Sequence, residues 1–318
     1  MRSYFIKKIV IESLFYLLDG MIILNVFAYL HAYNFTHFSN EQSQRTGKPE
    51  NIPFLTKITV LFTGVKNPKS LNDTFPIVPY IVYEIPSQFG YQINTWFIPN
   101  DSAKGIVIIF HGYASDKSKN LNESNAFHKL GYAIFLVDFS GHGATSNNST
   151  TLGFNEASDV INAYHFIRKK YPKQPIILYG MSMGATAIMK AVSENNLDIK
   201  AIIVECPFGS LVSTTRNRFG LMNLPPTPLA ELLLFWGGLQ NNFPPFEHNC
   251  FQYATKIKTP FLLMYGLQDK YVLKPEIELL FNKIIGKKEL IFFEKSAHEP
   301  LLKSDTDKWQ KSVSNFLK

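Results

Sequence analysis

Cysteine is almost missing from this chain: Cys206 and Cys250 are the only two in 318 residues. No CxxC pair and no Cys/His cluster occurs, so no metal site is expected, and two buried free thiols are expected rather than a disulfide framework. Charge is thin as well, at 18% of residues. The formal net charge of +7 comes from scattered lysines without a long basic block. That excludes a nucleic-acid partner, which needs Lys and Arg clustered on one face. It leaves room for attraction to an anionic membrane surface. No internal repeat and no cofactor motif stands out, so no cofactor is expected. What is present is apolar: hydrophobic residues make up 46% of the chain. This is the composition of a globular protein with a large core, one big domain or two small ones.

One hydrophobic run is long. After Arg2, Lys7 and Lys8 comes an apolar stretch from Ile9 to Leu30, long enough to cross a bilayer as a helix. Glu12 lies near its end, within reach of headgroups, but Asp19 sits inside it, and a mid-membrane carboxylate costs roughly 3 kcal/mol. The two acids are seven apart and share one helix face. Three readings therefore fit residues 1–32: an uncleaved anchor, an amphipathic or packed helix, and a cleavable signal peptide. As an anchor, its basic start keeps the N-terminus cytoplasmic and the remainder extracytoplasmic; the other readings give a secreted or a cytoplasmic protein. Residues 33–79 are polar and punctuated by proline, with one apolar block, "FLTKITVLFTGV", and read as a connector carrying a short helix.

From residue 80 a rhythm sets in. "YIVYEI" and "YQINTWFI" flank a turn at Phe89-Gly90 and predict an antiparallel hairpin. "GIVIIF", "YAIFLVD", "PIILYG", "KAIIVEC", "PFLLMYG" and "ELIFFE" are continuous apolar runs, as in strands buried on both faces. Helical stretches lie between most of them, and "DTDKWQKSVSNFLK" closes the chain as a helix. Alternation of this kind predicts an α/β fold over 80–318, a mostly parallel sheet with helices on both faces. The segment at about 207–259 breaks the rhythm, and fifty structureless residues are out of place in a compact domain. A helical insertion over one end of the sheet, a lid, is the expectation.

Within "LYGMSMGA", Ser182 ends a buried strand and opens a helix. By composition alone, a Gly-x-Ser-x-Gly turns up in roughly one chain in ten of this length; its position between strand and helix is the stronger signal. A sharp strand-turn-helix needs small flanking residues, here Gly180 and Gly184, and lifts the hydroxyl above the sheet at a helix N-terminus. A serine hydroxyl needs a base, and the base needs an orienting acid. Asp269 follows the strand "PFLLMYG" and His298 follows "ELIFFE", so both fall at the sheet edge where ligands bind. Glu205 is the rival acid; Asp269 is preferred because it sits one helix-strand unit ahead of His298. Two backbone donors are expected for an oxyanion: the N–H of Met183, after the serine, and that of Tyr113 in "HGYASD", where Gly112 permits close approach. His111 and His142 read as structural loop residues.

These pieces, "HGYASD", "VDFSGHG", "LYGMSMGA", "YGLQDKYV" and "SAHE", in this order, resemble the α/β-hydrolase superfamily over about residues 79–318. The resemblance implies an eight-stranded sheet, a lid after the sixth strand and a serine hydrolase, but does not fix the substrate. The apolar lid stretch, the absence of a cationic cluster near the site loops and the N-terminal segment favour an uncharged or lipid-derived carboxylic ester cleaved through an acyl-serine. A peptidase, an acyltransferase and a non-catalytic binding module remain the alternatives. The Asn-x-Ser/Thr pattern at Asn34, Asn72, Asn122, Asn147 and Asn148 reflects the Asn- and Ser-rich composition.

Overall fold

The protein is described here by a computed structural model covering residues 2–40, 44–47 and 52–318. Eight strands form one sheet in the order β1-β2-β4-β3-β5-β6-β7-β8: β1 (Ile81–Pro86), β2 (Gln92–Ile98), β3 (Ile106–Phe110), β4 (Ala133–Val137), β5 (Ile176–Met181), β6 (Ala201–Glu205), β7 (Phe261–Gly266) and β8 (Lys288–Phe293). β1 and β2 form the expected antiparallel hairpin, and β2 pairs antiparallel with β4. Every pairing from β4 across to β8 is parallel. Strands β3, β4, β6 and β7 are buried along their whole length. This follows from their unbroken apolar sequence, which only a sheet covered on both faces can hide. β1, at the edge, is mostly exposed.

Two helical layers do the covering. Tyr179 of β5 points toward Phe127 of α3 (Leu121–Lys129) and Trp309 of α10 (Thr306–Phe316). Its neighbour Gly180 faces α5 (Met183–Glu194), where Ile188 packs, as period-two alternation requires. α4 (Ala157–Lys170), α8 (Cys250–Ala254) and α9 (Lys274–Lys283) continue the α5 side through mutual contacts. Between β6 and β7 the chain is helical rather than structureless, as α6 (Leu211–Leu221), α7 (Pro226–Asn241) and α8.

The N-terminal quarter departs from expectation in two ways. α1 runs from Arg2 to Thr36, past the apolar run that predicted it. Its described residues are exposed up to Ile23, but from there on it packs: Ala32, Thr36 and, just beyond, Phe38 are buried. α7 lies against this second half. Trp236 Nε1 donates to Asn25 Oδ1 (3.2 Å), Gln240 Nε2 donates to the Tyr29 carbonyl (2.8 Å), and Gly237 lies close to Ala32 and Thr36. The connector does carry its short helix, α2 (Phe54–Thr63), but the rest is not a loose tether. Asn67 Nδ2 donates to Tyr113 Oη (2.7 Å), Lys69 Nζ to the Thr145 and Asn147 carbonyls (2.6 and 2.8 Å), and Asn72 Nδ2 to Asp138 Oδ2 (2.8 Å). Arg45 donates to the Pro68 carbonyl (2.9 Å) and to that of Ala114. These bonds fasten the segment over the loops at the C-terminal edge of the sheet.

Candidate active site

Ser182 stands between β5 and α5 with φ 51° and ψ −112°, a conformation that non-glycine residues adopt only under surrounding constraint. The constraint is tight packing. A Cβ on Gly180 would come within 2.6 Å of the Gly184 backbone, and one on Gly184 within 2.7 Å of the His111 carbonyl. Both positions therefore need glycine, and the turn cannot relax without separating α5 from β5 and β3.

Asp269 and His298 come to this serine from the ends of β7 and β8. His298 Nε2 lies 2.9 Å from Ser182 Oγ, and His298 Nδ1 lies 2.6 Å from Asp269 Oδ2. The other carboxylate oxygen accepts the backbone N–H groups of Tyr271 (2.8 Å) and Val272 (3.0 Å). Asp269 is thus locked, its side chain fully buried, while the imidazole stays partly open. The His298 loop is held from below. The Ser296 and Ala297 carbonyls press on Gly266, where a Cβ would lie 2.5 Å from each, and the Leu301 N–H donates to Glu205 Oε2 (2.9 Å). Three residues distant in sequence converge, with the ring correctly turned for a proton to pass between Oγ and Nε2.

The rival acid has a different place. Glu205 Oε1 accepts from Tyr179 Oη (2.7 Å) and Trp309 Nε1 (2.6 Å), on the face away from the serine. Burial raises its pKa. Beside it, Glu123 is pushed up to about 8, chiefly by burial and then by the Glu205 charge.

The 111–115 loop passes directly over the serine: a Cβ on Gly112 would lie 3.8 Å from Ser182 Cβ. Among the described residues, no partner is found for the backbone N–H of Tyr113 or of Met183. The loop is pinned by two histidines. His142 Nε2 accepts the Ala114 N–H (3.0 Å) while Nδ1 donates to the Ser140 carbonyl (2.6 Å). His111 Nε2 accepts the Phe139 N–H (3.1 Å) while Nδ1 donates to the Gly112 carbonyl (2.7 Å). Burial lowers the pKa of both, which keeps each ring neutral and able to accept.

Two features escaped the sequence reading. Tyr113 Oη donates to the Phe35 carbonyl at the end of α1 (2.6 Å) and accepts from Asn67, so the N-terminal segment reaches the site loop. Polar pairs with no periodicity leave no sequence signal for such a contact. The second is Cys206, a buried free thiol after β6 with φ 47°. Its sulfur, a carboxylate oxygen of Asp269 and a ring nitrogen of His298 all lie within 4.8 Å of one another. Burial, then the charge of Asp269, raises the thiol's pKa, so it remains a neutral neighbour of the acid. The strained φ there could have been suspected only from its place at a strand end.

A family model described as serine aminopeptidase, S33, matches residues 101–235. The chain is 26% identical over 251 residues to the uncharacterized protein YqkD of Bacillus subtilis, covering 77% of this chain and 81% of that one. It is 20% identical over 216 residues to an uncharacterized membrane protein of Saccharomyces cerevisiae, covering 68% and 72%. Among solved structures, an esterase of Pyrococcus furiosus superposes with a TM-score of 0.66 at 23% identity, covering 79% of this chain and 96% of that one. The fold class is that of the α/β hydrolases. The chain resembles the α/β hydrolases both in this fold and over the residues that the family model matches.

Proposed function

We propose that the protein is a serine hydrolase that cleaves a carboxylic ester through an acyl-serine intermediate. The observation that carries this is the continuous hydrogen-bonded line from Ser182 Oγ through His298 to Asp269, at 2.9 and 2.6 Å. In this reading Ser182 Oγ attacks the ester carbonyl carbon as His298 Nε2 takes its proton. The oxyanion forms beside the Met183 and Tyr113 N–H groups. Collapse breaks the C–O bond, and Nε2 returns the proton to the leaving alcohol. Water, deprotonated by the same nitrogen, then releases the acid. Asp269 holds the ring in the tautomer that leaves Nε2 free to accept.

The peptidase alternative draws on the wording of the matched family model. It asks for a carboxylate free to meet a peptide amine. Glu205 is already covered by three donors, and Glu231 is paired with Arg216. That favours an ester. Helices α6 and α7 serve as the lid, and α1, apolar and exposed over its first half, serves as a membrane anchor, with the N-terminus cytoplasmic and the catalytic body on the other side.

The test is labelling by a fluorophosphonate together with p-nitrophenyl esters of increasing chain length and aminoacyl-amides. The expected result is labelling and ester hydrolysis in the wild type, both abolished in Ser182→Ala. Asp269→Asn should keep the fold and lose about 10⁴-fold in kcat, because the amide favours the wrong tautomer. Labelling that persists in Ser182→Ala, or turnover of the amides and not the esters, overturns the reading.

A further inference from the structure

The two halves of α1 have different surroundings. From Tyr4 to Ile23 every described residue is exposed, over about 20 residues or roughly 30 Å of helix, the thickness of a hydrocarbon core. Its large apolar side chains point in every direction: Phe5, Ile9, Leu14, Phe15, Leu18 and Ile22 are all exposed. A protein partner covers one face of a helix, whereas hydrocarbon covers all of them. Lipid is therefore the occupant that this half fits, at the cost of holding Asp19 and Glu12, the latter paired with Lys8 (3.9 Å), inside it.

Where that length ends, two other helices flank α1, and both turn apolar side chains outward. α2 is held by the Phe27–Phe62 ring contact (5.6 Å between centroids) and by Asn34 Nδ2 donating to the Thr63 carbonyl (3.3 Å). It exposes Leu55, Ile58 and Phe62, the first at 76%. α7, joined to α1 at Asn25 and Tyr29, exposes Phe235 and Leu239, the latter at 60%. Tyr29 and Trp236 meet edge to face at this level (5.4 Å), the kind of ring that settles at a membrane–water boundary. Between Trp236 and α1 lies an apolar groove of about 420 Å³, walled by Leu18, Met21, Ile22, Val26 and Leu30. It runs from the exposed half of α1 to the α7 helix.

We propose that α2 and the outer face of α7 form a docking surface that rests on the same lipid bilayer that α1 enters. The lid then lies on the membrane, the Trp236 groove takes an acyl chain, and the substrate is an ester-bearing amphiphile drawn from that bilayer. The substrate claim rests on the ester-hydrolase reading above; the docking claim does not.

The test uses the full chain in phosphatidylcholine vesicles whose acyl chains carry bromine near the headgroup. Trp96 and Trp309 are buried in the hydrolase body, so quenching of tryptophan fluorescence reports on Trp236 and disappears in Trp236→Phe. In the triple variant Leu55→Glu, Ile58→Glu, Leu239→Glu, quenching should fall by at least half, with α1 still resistant to alkaline extraction. Hydrolysis of a vesicle-borne long-chain ester should drop about tenfold, and hydrolysis of a short soluble ester should change less than twofold. Wild-type Trp236 that is not quenched, or quenching unchanged in the variant, overturns the proposal. So does a variant that turns a dimer into a monomer with quenching unchanged, which would make the face a contact between copies of this chain. A wild type that is quenched but inert on the soluble ester instead sinks the hydrolase reading alone.

Discussion

At the scale of single residues, the strands did most of the placing. Ser182, Asp269 and His298 could be singled out from sequence because each follows an apolar run, and parallel strands deliver their C-terminal ends to one edge. Nothing comparable marked Glu123, a carboxyl buried under the sheet beside Glu205. Its side chain is buried with that of Glu205 nearby, and no motif or apolar run points to it. Its pKa is raised from 4.5 to about 8, and this has a pH signature. An unfolded chain loses the Glu123 proton from about pH 4.5 upward, whereas the folded one keeps it until about 8. Over that window the native state binds more protons, so its stability falls as pH rises. Glu123→Gln does not titrate. It should gain roughly 1–3 kcal/mol on the wild type between pH 5 and pH 8, read as a widening gap between the two melting temperatures. A gap that stays constant across that range would falsify the raised pKa.

At the scale of elements, continuous apolar strands were legible because burial on both faces leaves no polar residue to confuse the pattern. α1 was harder. Its apolar run measures length, not surroundings, so the change from exposed to packed near residue 24 had no sequence mark. The connector was harder still, since its order comes from side chains such as Asn67 and Lys69 that bond to distant carbonyls. The contact between α1 and α7 depends on small residues. A Cβ at Gly237 would sit 3.9 Å from both Ala32 and Thr36, an ordinary contact. Gly237→Ala should therefore fit and stabilise α7 by up to about 1 kcal/mol through helix propensity. Gly237→Leu should wedge the helices apart by an overpacking cost of roughly 1–3 kcal/mol. Amide exchange in α7 checks both: slower in the first, faster in the second, with the sheet core unaffected.

At the scale of the whole molecule, the N-terminal segment and the hydrolase body form one unit. From Tyr4 to Ile23 every residue is exposed, so a chain lacking residues 2–23 should melt close to the full-length protein and keep its rate on a soluble ester. Removing residues 2–38 strips the Phe35 carbonyl from the Tyr113 hydroxyl and the buried Phe38 ring from His142. A part-buried hydroxyl left without its acceptor costs up to roughly 1 kcal/mol, and the loop over Ser182 loses a support. The longer deletion should melt lower and lose kcat/KM, a comparison that differential scanning calorimetry and a soluble-ester assay make directly.

The bonds from Asn25 to Trp236 and from Tyr29 to Gln240 each bridge 211 positions of chain. Ribosomes release the first helix long before its partner exists. Throughout most of translation, the inner stripe of that helix has nothing to bind, and closing so wide a loop is slow. A nascent chain of this protein therefore needs a lipid phase or a chaperone to shelter its beginning until its end is made, and its assembly finishes where it started.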